Sequence, residues 1–178
     1  MRRTILILAA GAVLLAGCAS TVQKSDQGAP APVIVKAAGK TIVLDVTGST
    51  GSTTAKDWRD FKKVWSEQCA QEFGSAGAVF AMQEDYAQPA GGASGTLVVV
   101  NVVDYRYIST GARIMFGIMT GNAYINAEVT FRDLASGEVR VTKKYDTSST
   151  AWQGIFSGMT TKQVHAMCHE ILGEIGAS

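Results

Sequence analysis

Residues 122–145, NAYINAEVTFRDLASGEVRVTKKY, decide the fold class. Ala123, Ile125, Ala127, Val129 and Phe131 fall on one side of an extended chain, and Asn122, Asn126, Glu128, Thr130 and Arg132 fall on the other. Successive side chains of a strand point to opposite faces, so this alternation marks a strand with one dry and one wet side. Asp133-Leu134-Ala135-Ser136-Gly137 then supplies turn residues. Val139, Val141 and Tyr145 alternate with Arg140, Thr142 and Lys144. The stretch reads as an antiparallel hairpin packed on one face only.

Working outward, Leu97 to Ile108 is the longest strand candidate, and its LVVVNVV half is apolar on both faces, as a central strand can be. Ile42, Leu44 and Val46 alternate over Thr41 to Val46, and Ala78 to Met82 fits a short strand. Trp58, Phe61, Trp65, Cys69 and Phe73 recur at steps of three and four, which is one face of a helix. Thr54, followed three residues on by Asp57, is its expected N-cap, and Gly74 and Gly77 end it. Val164, Met167, Cys168, Ile171, Leu172 and Ile175 form a second helical stripe. No internal repeat is present. Two amphipathic helices covering one face of a mostly antiparallel sheet give a two-layer α+β sandwich.

The 178 residues fit one domain once the ends are set aside, and 47% hydrophobic with 17% charged residues suits a compact core. Of 16 basic residues, Arg2 and Arg3 lie in the first segment, leaving 14 against 15 acidic ones, a balance near −1. Such a balance gives no electrostatic reason to expect nucleic acid or an anionic lipid surface as a partner.

Arg2 and Arg3 precede an apolar run from Ile5 to Leu15. That run is too short to span a bilayer core of about 30 Å and has the size of a signal-peptide core. Leu15-Ala16-Gly17-Cys18 resembles the lipobox of bacterial lipoproteins at all four positions. The resemblance implies cleavage before Cys18 and acylation of its thiol and new amine; several acyl chains together anchor stably. Ala19, in place of the Asp that retains enteric lipoproteins in the inner membrane, favours the outer membrane. The chain thus divides into a signal peptide (1–17), a lipidated Cys18 with a flexible tether (18–39) and a periplasmic α+β domain (40–178). Twenty flexible residues span roughly 25 Å root-mean-square.

The run DYRYISTGARIMFGIMTGNAYINAEVTFRDLASGEV, residues 104–139, resembles a family of bacterial lipoproteins known only by a domain of unknown function. Its hallmark is a strand, a Gly-Ala-Arg segment with spaced glycines, and a strand ending in Asp-x-x-[Ser/Thr]-Gly-Glu-Val. Here these are Gly111-Ala112-Arg113, Gly117, Gly121 and Asp133 through Val139. The likeness spans roughly residues 40 to 175 and is sharp over about forty. It implies an envelope lipoprotein with an α+β domain and supplies no activity.

Four motifs bear on chemistry. Asp45, Thr47 and Ser49 match D-x-[ST]-x-S where a strand enters a loop, resembling the metal-ion adhesion site of von Willebrand A domains. Those domains alternate strands and helices, whereas residues 97 to 147 read as consecutive strands, so no metal is expected and the three residues stand as weak candidates only. The same loop, GSTGSTT (48–54), lacks the Lys of a phosphate-binding loop. His165 and His169 share a helix face, but Cys168 lies about 100° from His169, which favours two surface imidazoles over a zinc site. G-x-S-x-G and H-E-x-x-H are absent, and both histidines sit on one helix, so neither an enzyme nor a cofactor is expected. The apolar segment Arg113, Ile114, Met115, Phe116, Ile118 and Met119 is either a partner or membrane contact or a piece closing one end of the core.

The expectation is therefore a non-enzymatic outer-membrane lipoprotein, held by its lipid anchor, whose domain binds an envelope protein or itself. A metal- or ligand-binding receptor module on the Asp45/Thr47/Ser49 loop is the alternative. Cys69 and Cys168, the thiols left once Cys18 is acylated, lie on the two helical stripes. If the helices pack side by side, the sulfurs can meet in an oxidising periplasm; otherwise two buried thiols remain. Replacing Cys18 by Ser is expected to abolish acyl labelling and membrane attachment. Labelling that persists in the Cys18→Ser chain would refute the lipobox reading.

Overall fold

A burial pattern of strict alternation runs through the hairpin: Ile125, Ala127, Val129 and Phe131 are buried, and the residues between them are half-exposed. The computed structural model describes residues 21–26, 41–84, 94–109, 111, 115, 122–148 and 158–176. Among them the order is β1 (Thr21–Asp26), β2 (Thr41–Gly48), α1 (Thr50–Thr53), α2 (Trp58–Ser75), β3 (Val79–Met82), β4 (Gly95–Arg106), β5 (Tyr124–Asp133), β6 (Val139–Ser148) and α3 (Met159–Ile175). The strands form one six-stranded sheet in the order β1-β6-β5-β4-β2-β3. Joints β1–β6, β6–β5 and β5–β4 are antiparallel, whereas β2 runs parallel to both β4 and β3. The α+β expectation holds, with a mixed sheet.

The helices lie together on one face. Phe61, Trp65, Cys69 and Phe73 of α2 are fully buried, as are Val164, Met167, Cys168 and Ile171 of α3. They pack against Ile42, Leu44 and Val46 of β2, Val98 and Val100 of β4, and the buried side of β5. The other face carries a small cluster of Val43, Leu97 and Leu134, with Val99 packed on it. Exposed or half-exposed Asn101, Glu128, Lys144 and Asp146 share the face beyond it.

Two bulges adjust the sheet. Between Val102 and Asp104 the β4–β5 register slips by one residue. Val102 and Tyr105 therefore both face the helices despite their odd spacing, and Val103 is exposed. A second slip separates Phe131 from Arg132, next to the β5–β6 turn. In that turn Asp133 accepts bonds from Ser136 N (2.9 Å), Ala135 N (3.0 Å) and the Ser136 hydroxyl, and Gly137 takes φ 73°. Those donors, the Ser136 amide first and then Arg140, pull the Asp133 carboxyl down to about 2.

Two sequence expectations are corrected. Thr21–Asp26, read as part of the 18–39 tether, is β1 and pairs with β6 along its whole length. A polar strand is acceptable there because β6 would otherwise be an open edge with unpaired backbone groups. Helix α2 begins at Trp58 and is not capped by Thr54; Ser49 caps the separate short helix α1. Asp57 occupies the N-cap position of α2 without a capping bond and takes the Tyr105 hydroxyl, 2.6 Å away.

Between the helices Cys69 and Cys168 form a disulfide, with Cα atoms 5.2 Å apart and a sequence separation of 99. Close by, Lys143 of β6 pairs with Glu174 of α3 at 2.8 Å, both side chains nearly buried. Closing a loop of this length stabilises by up to about 4.7 kcal/mol through loss of unfolded-state entropy, often less in practice. The Cys69→Ala, Cys168→Ala double variant is therefore expected to fold with a lower urea midpoint and an unchanged signal for the folded state. Peptide mapping of the oxidised wild-type protein should recover a Cys69–Cys168 cross-linked pair; two free thiols there would contradict the bond.

Candidate functional site

The Asp45–Ser49 stretch is the last part of β2 and the loop that leaves it. Asp45 is buried and shares strand parity with Val43, on the face away from the helices. Thr47 is half-exposed. Ser49 turns into α1: its Oγ accepts from Ser52 N at 3.2 Å and lies 3.1 Å from the Val103 carbonyl and 3.0 Å from Ser52 Oγ. Its amide donates to the Val102 carbonyl at 3.0 Å. The bulge in β4 explains these bonds, since it frees two successive carbonyls from the ladder for a single loop residue. The Ser49 hydroxyl is thereby committed to holding α1 on β4. Among the described residues no three His, Cys, Asp or Glu side chains are placed to hold a metal ion.

Beside this loop is an open cleft of about 270 Å³ lined by Ser49, Ser52, Asp57, Asp104, Tyr105 and Arg106 among others. Its floor is aromatic. Tyr105 stacks on Phe61 with ring centres 4.2 Å apart, and Trp58 leans on both rings. Burial, then the bond to Asp57, raises the Tyr105 phenol above its ordinary range, so it stays a neutral donor at any physiological pH. A second cleft, about 420 Å³, opens where Asp104, Tyr124, Asn126, Asp146 and Ser148 meet on the face without helices. There the Tyr124 hydroxyl donates to Asp104 Oδ2 at 3.0 Å. Both clefts are open and polar, and each holds a tyrosine hydroxyl donating to a carboxylate.

His165 and His169 lie on the outer side of α3, where Glu72 of α2 meets both. Glu72 Oε1 is 2.6 Å from His169 Nδ1 and Oε2 is 3.3 Å from His165 Nε2. The carboxylate divides its oxygens between two imidazoles, so the three groups do not converge on one point. Glu72 was not evident as their partner in sequence, although it follows Cys69 by one helical turn and His169 adjoins Cys168. Once those cysteines bond, the two must be neighbours.

Of the apolar segment, Met115 is described, and it is 78% exposed. Arg113, Ile114, Phe116, Ile118 and Met119 lie outside the described residues, as do Cys18 and residues 1–17. Among the described residues no helix is long and apolar enough to cross a membrane.

No protein-family model matches the chain, and no curated protein matches its sequence. Solved structures similar to it include the PelC dodecamer from Paraburkholderia phytofirmans. One such structure is 14% identical, covers 89% of this chain and 99% of that chain, and has a TM-score of 0.53. A second, at 12% identity, covers 88% and 97% with a TM-score of 0.50. A Xanthomonas campestris protein of the DUF330 family is 10% identical over 84% of this chain and 90% of its own, at a TM-score of 0.48. At these identities the PelC likeness establishes the α+β fold and nothing finer.

Because Ser49 caps α1, Ser49→Ala is expected to cost about 1 kcal/mol in urea unfolding. Calorimetric titration with Mg²⁺ should give the same trace for wild type, Ser49→Ala and Asp45→Ala. A binding heat lost in either variant would reinstate the metal site.

Proposed function

We propose that this chain is a non-enzymatic lipoprotein of the outer membrane, anchored through acylated Cys18, whose periplasmic α+β domain assembles with further copies of itself. The observation that carries the reading is the likeness to PelC. The fold is similar over nearly the full length of a protein whose solved form is a dodecamer. Leu15-Ala16-Gly17-Cys18 supports the anchor, and Ala19 supports the outer membrane. Met115, 78% exposed, is available for a contact between copies. Two further observations favour a binding role over catalysis. Both histidines face Glu72, and neither lines either cleft. The alternative, a receptor module on Asp45, Thr47 and Ser49, draws less support because Ser49 already holds α1 on β4.

The test is the mass of the lipidated protein. Native mass spectrometry of the full acylated chain released from a mild detergent is expected to show a discrete complex of several copies. A monomer at micromolar concentration, in detergent and in lipid nanodiscs alike, would remove self-assembly from this account and leave a heterologous envelope partner.

A further inference from the structure

We propose that β3 is the seam along which two copies of this chain join, edge to edge, into one continuous sheet with a two-fold axis at Ala81. This rests on the self-assembly reading and deepens it by naming the surface. β3 is the last strand on its side of the sheet, and among the described residues it pairs with β2 alone. The Gln83 amide donates to the Leu44 carbonyl at 3.0 Å. Backbone groups alternate in direction along a strand. Val79 and Ala81 therefore turn theirs toward β2 as well, and Phe80 and Met82 turn theirs outward. Among the described residues no backbone group meets that outer side. The strand, Val-Phe-Ala-Met, holds no charge and no proline, and Val79 is 60% exposed. Charges and prolines are the devices that usually keep an edge from pairing, and here only the shortness of the strand limits it. The opposite edge differs: β1 is TVQKSD, with two charged residues.

A second copy matches this edge in a particular register. A two-fold axis makes the pairing antiparallel and self-complementary, and centring it on Ala81 sets Phe80 opposite Met82 of the second copy. Both residues aim their backbone groups at the seam, so each such pair exchanges two hydrogen bonds and the two pairs give four. Ala81 meets its own copy between them, at the non-bonded position where Cα atoms come within about 4.5 Å and a small side chain suits. In the sheet Phe80 pairs with Ile42 and Met82 with Leu44, so both side chains lie on the helix face, where Phe80 touches Phe73 with ring centres 5.5 Å apart. Phe80 and Met82 are only half-buried in one copy, and across the seam they would cover each other. The axis stands perpendicular to the sheet, so both copies keep their helices on one side. Four bonds and two apolar pairs make a small interface, less than holds a stable dimer in dilute solution. Acylated chains confined to one membrane surface meet at a much higher effective concentration, which such a seam needs.

The experiment uses the full acylated chain in vesicles of phosphatidylethanolamine and phosphatidylglycerol. Cys69 and Cys168 are bonded to each other and Cys18 carries lipid, so one added Cys is the single free thiol. Ala81→Cys probes the axis. Val139→Cys, at an exposed position on β6, measures random collision. Mild oxidation is expected to cross-link Ala81→Cys chains several-fold faster than Val139→Cys chains. Adding Met82→Pro to Ala81→Cys removes an outward donor and spares the bonds to β2, so the rate should fall to that of Val139→Cys. Circular dichroism checks that this chain folds. Ala81→Lys makes the same test by charge, since it sets two ammonium groups opposite each other on the open face. Native mass spectrometry in lipid nanodiscs should then show loss of the dimer. Equal rates at 81 and 139, a fast rate that persists in the folded Met82→Pro chain, or a dimer that survives Ala81→Lys overturns the seam. In each of those cases a multimer of the wild-type chain in nanodiscs leaves self-assembly standing on another surface. A wild-type monomer there, with no cross-link at 81, removes seam and self-assembly together.

Discussion

Burying one face of the sheet requires two helices to lie side by side on it, and the Cys69–Cys168 bond fixes that arrangement at its centre. Each cysteine sits mid-stripe, so the bond sets not only the distance between α2 and α3 but also which faces they turn inward. Phe61, Trp65 and Phe73 then point at the sheet by helical periodicity, as do Val164, Met167 and Ile171. The same alignment puts Glu72 between two imidazoles. The nearly buried Lys143–Glu174 pair ties α3 to β6, where an unpaired Lys143 would carry a heavy desolvation cost.

The bulge in β4 is the second organising device. By shifting parity after Val102 it turns Tyr105 toward α2, where the ring stacks on Phe61 and the hydroxyl holds Asp57. The same irregularity leaves two carbonyls for Ser49. One extra residue thus fixes both the start of α2 and the seat of α1, and the cleft between them is a by-product of that geometry.

Where the signal was local, it could be read from the sequence. The i, i+4 spacing of Phe61, Trp65, Cys69 and Phe73, and the alternation from Ile125 to Phe131, are properties of single elements and reappear in the structure. Pairings between distant segments left no comparable trace. Nothing in TIVLDV marks it as parallel to β4, because a buried strand reads the same in either direction. TVQKSD, with a single apolar residue, reads as tether since an edge strand needs little hydrophobicity of its own; β6 supplies the partner. Asp57 looked like helix-start chemistry, and its actual partner is 48 residues away. The bulge was hidden because LVVVNVV is apolar on both faces, so a one-residue slip leaves no gap in the pattern. For the clefts the limit is similar, since Asp104, Tyr124 and Asp146 come from three strands and share no motif.

The pairing of β1 with β6 also bears on how the molecule comes to be made. Thr21 finds its register opposite Ser148, and Cys69 its bond to Cys168, so the first strand and the central cross-link both wait for the last third of the chain. Contacts so distant in sequence slow folding, because a large loop must close before any stabilisation is gained. A chain that emerges from its N-terminus has no early opportunity to complete this sheet. Its first strand and its cross-link stay open until β6 and α3 have appeared, a property that would suit the export proposed above.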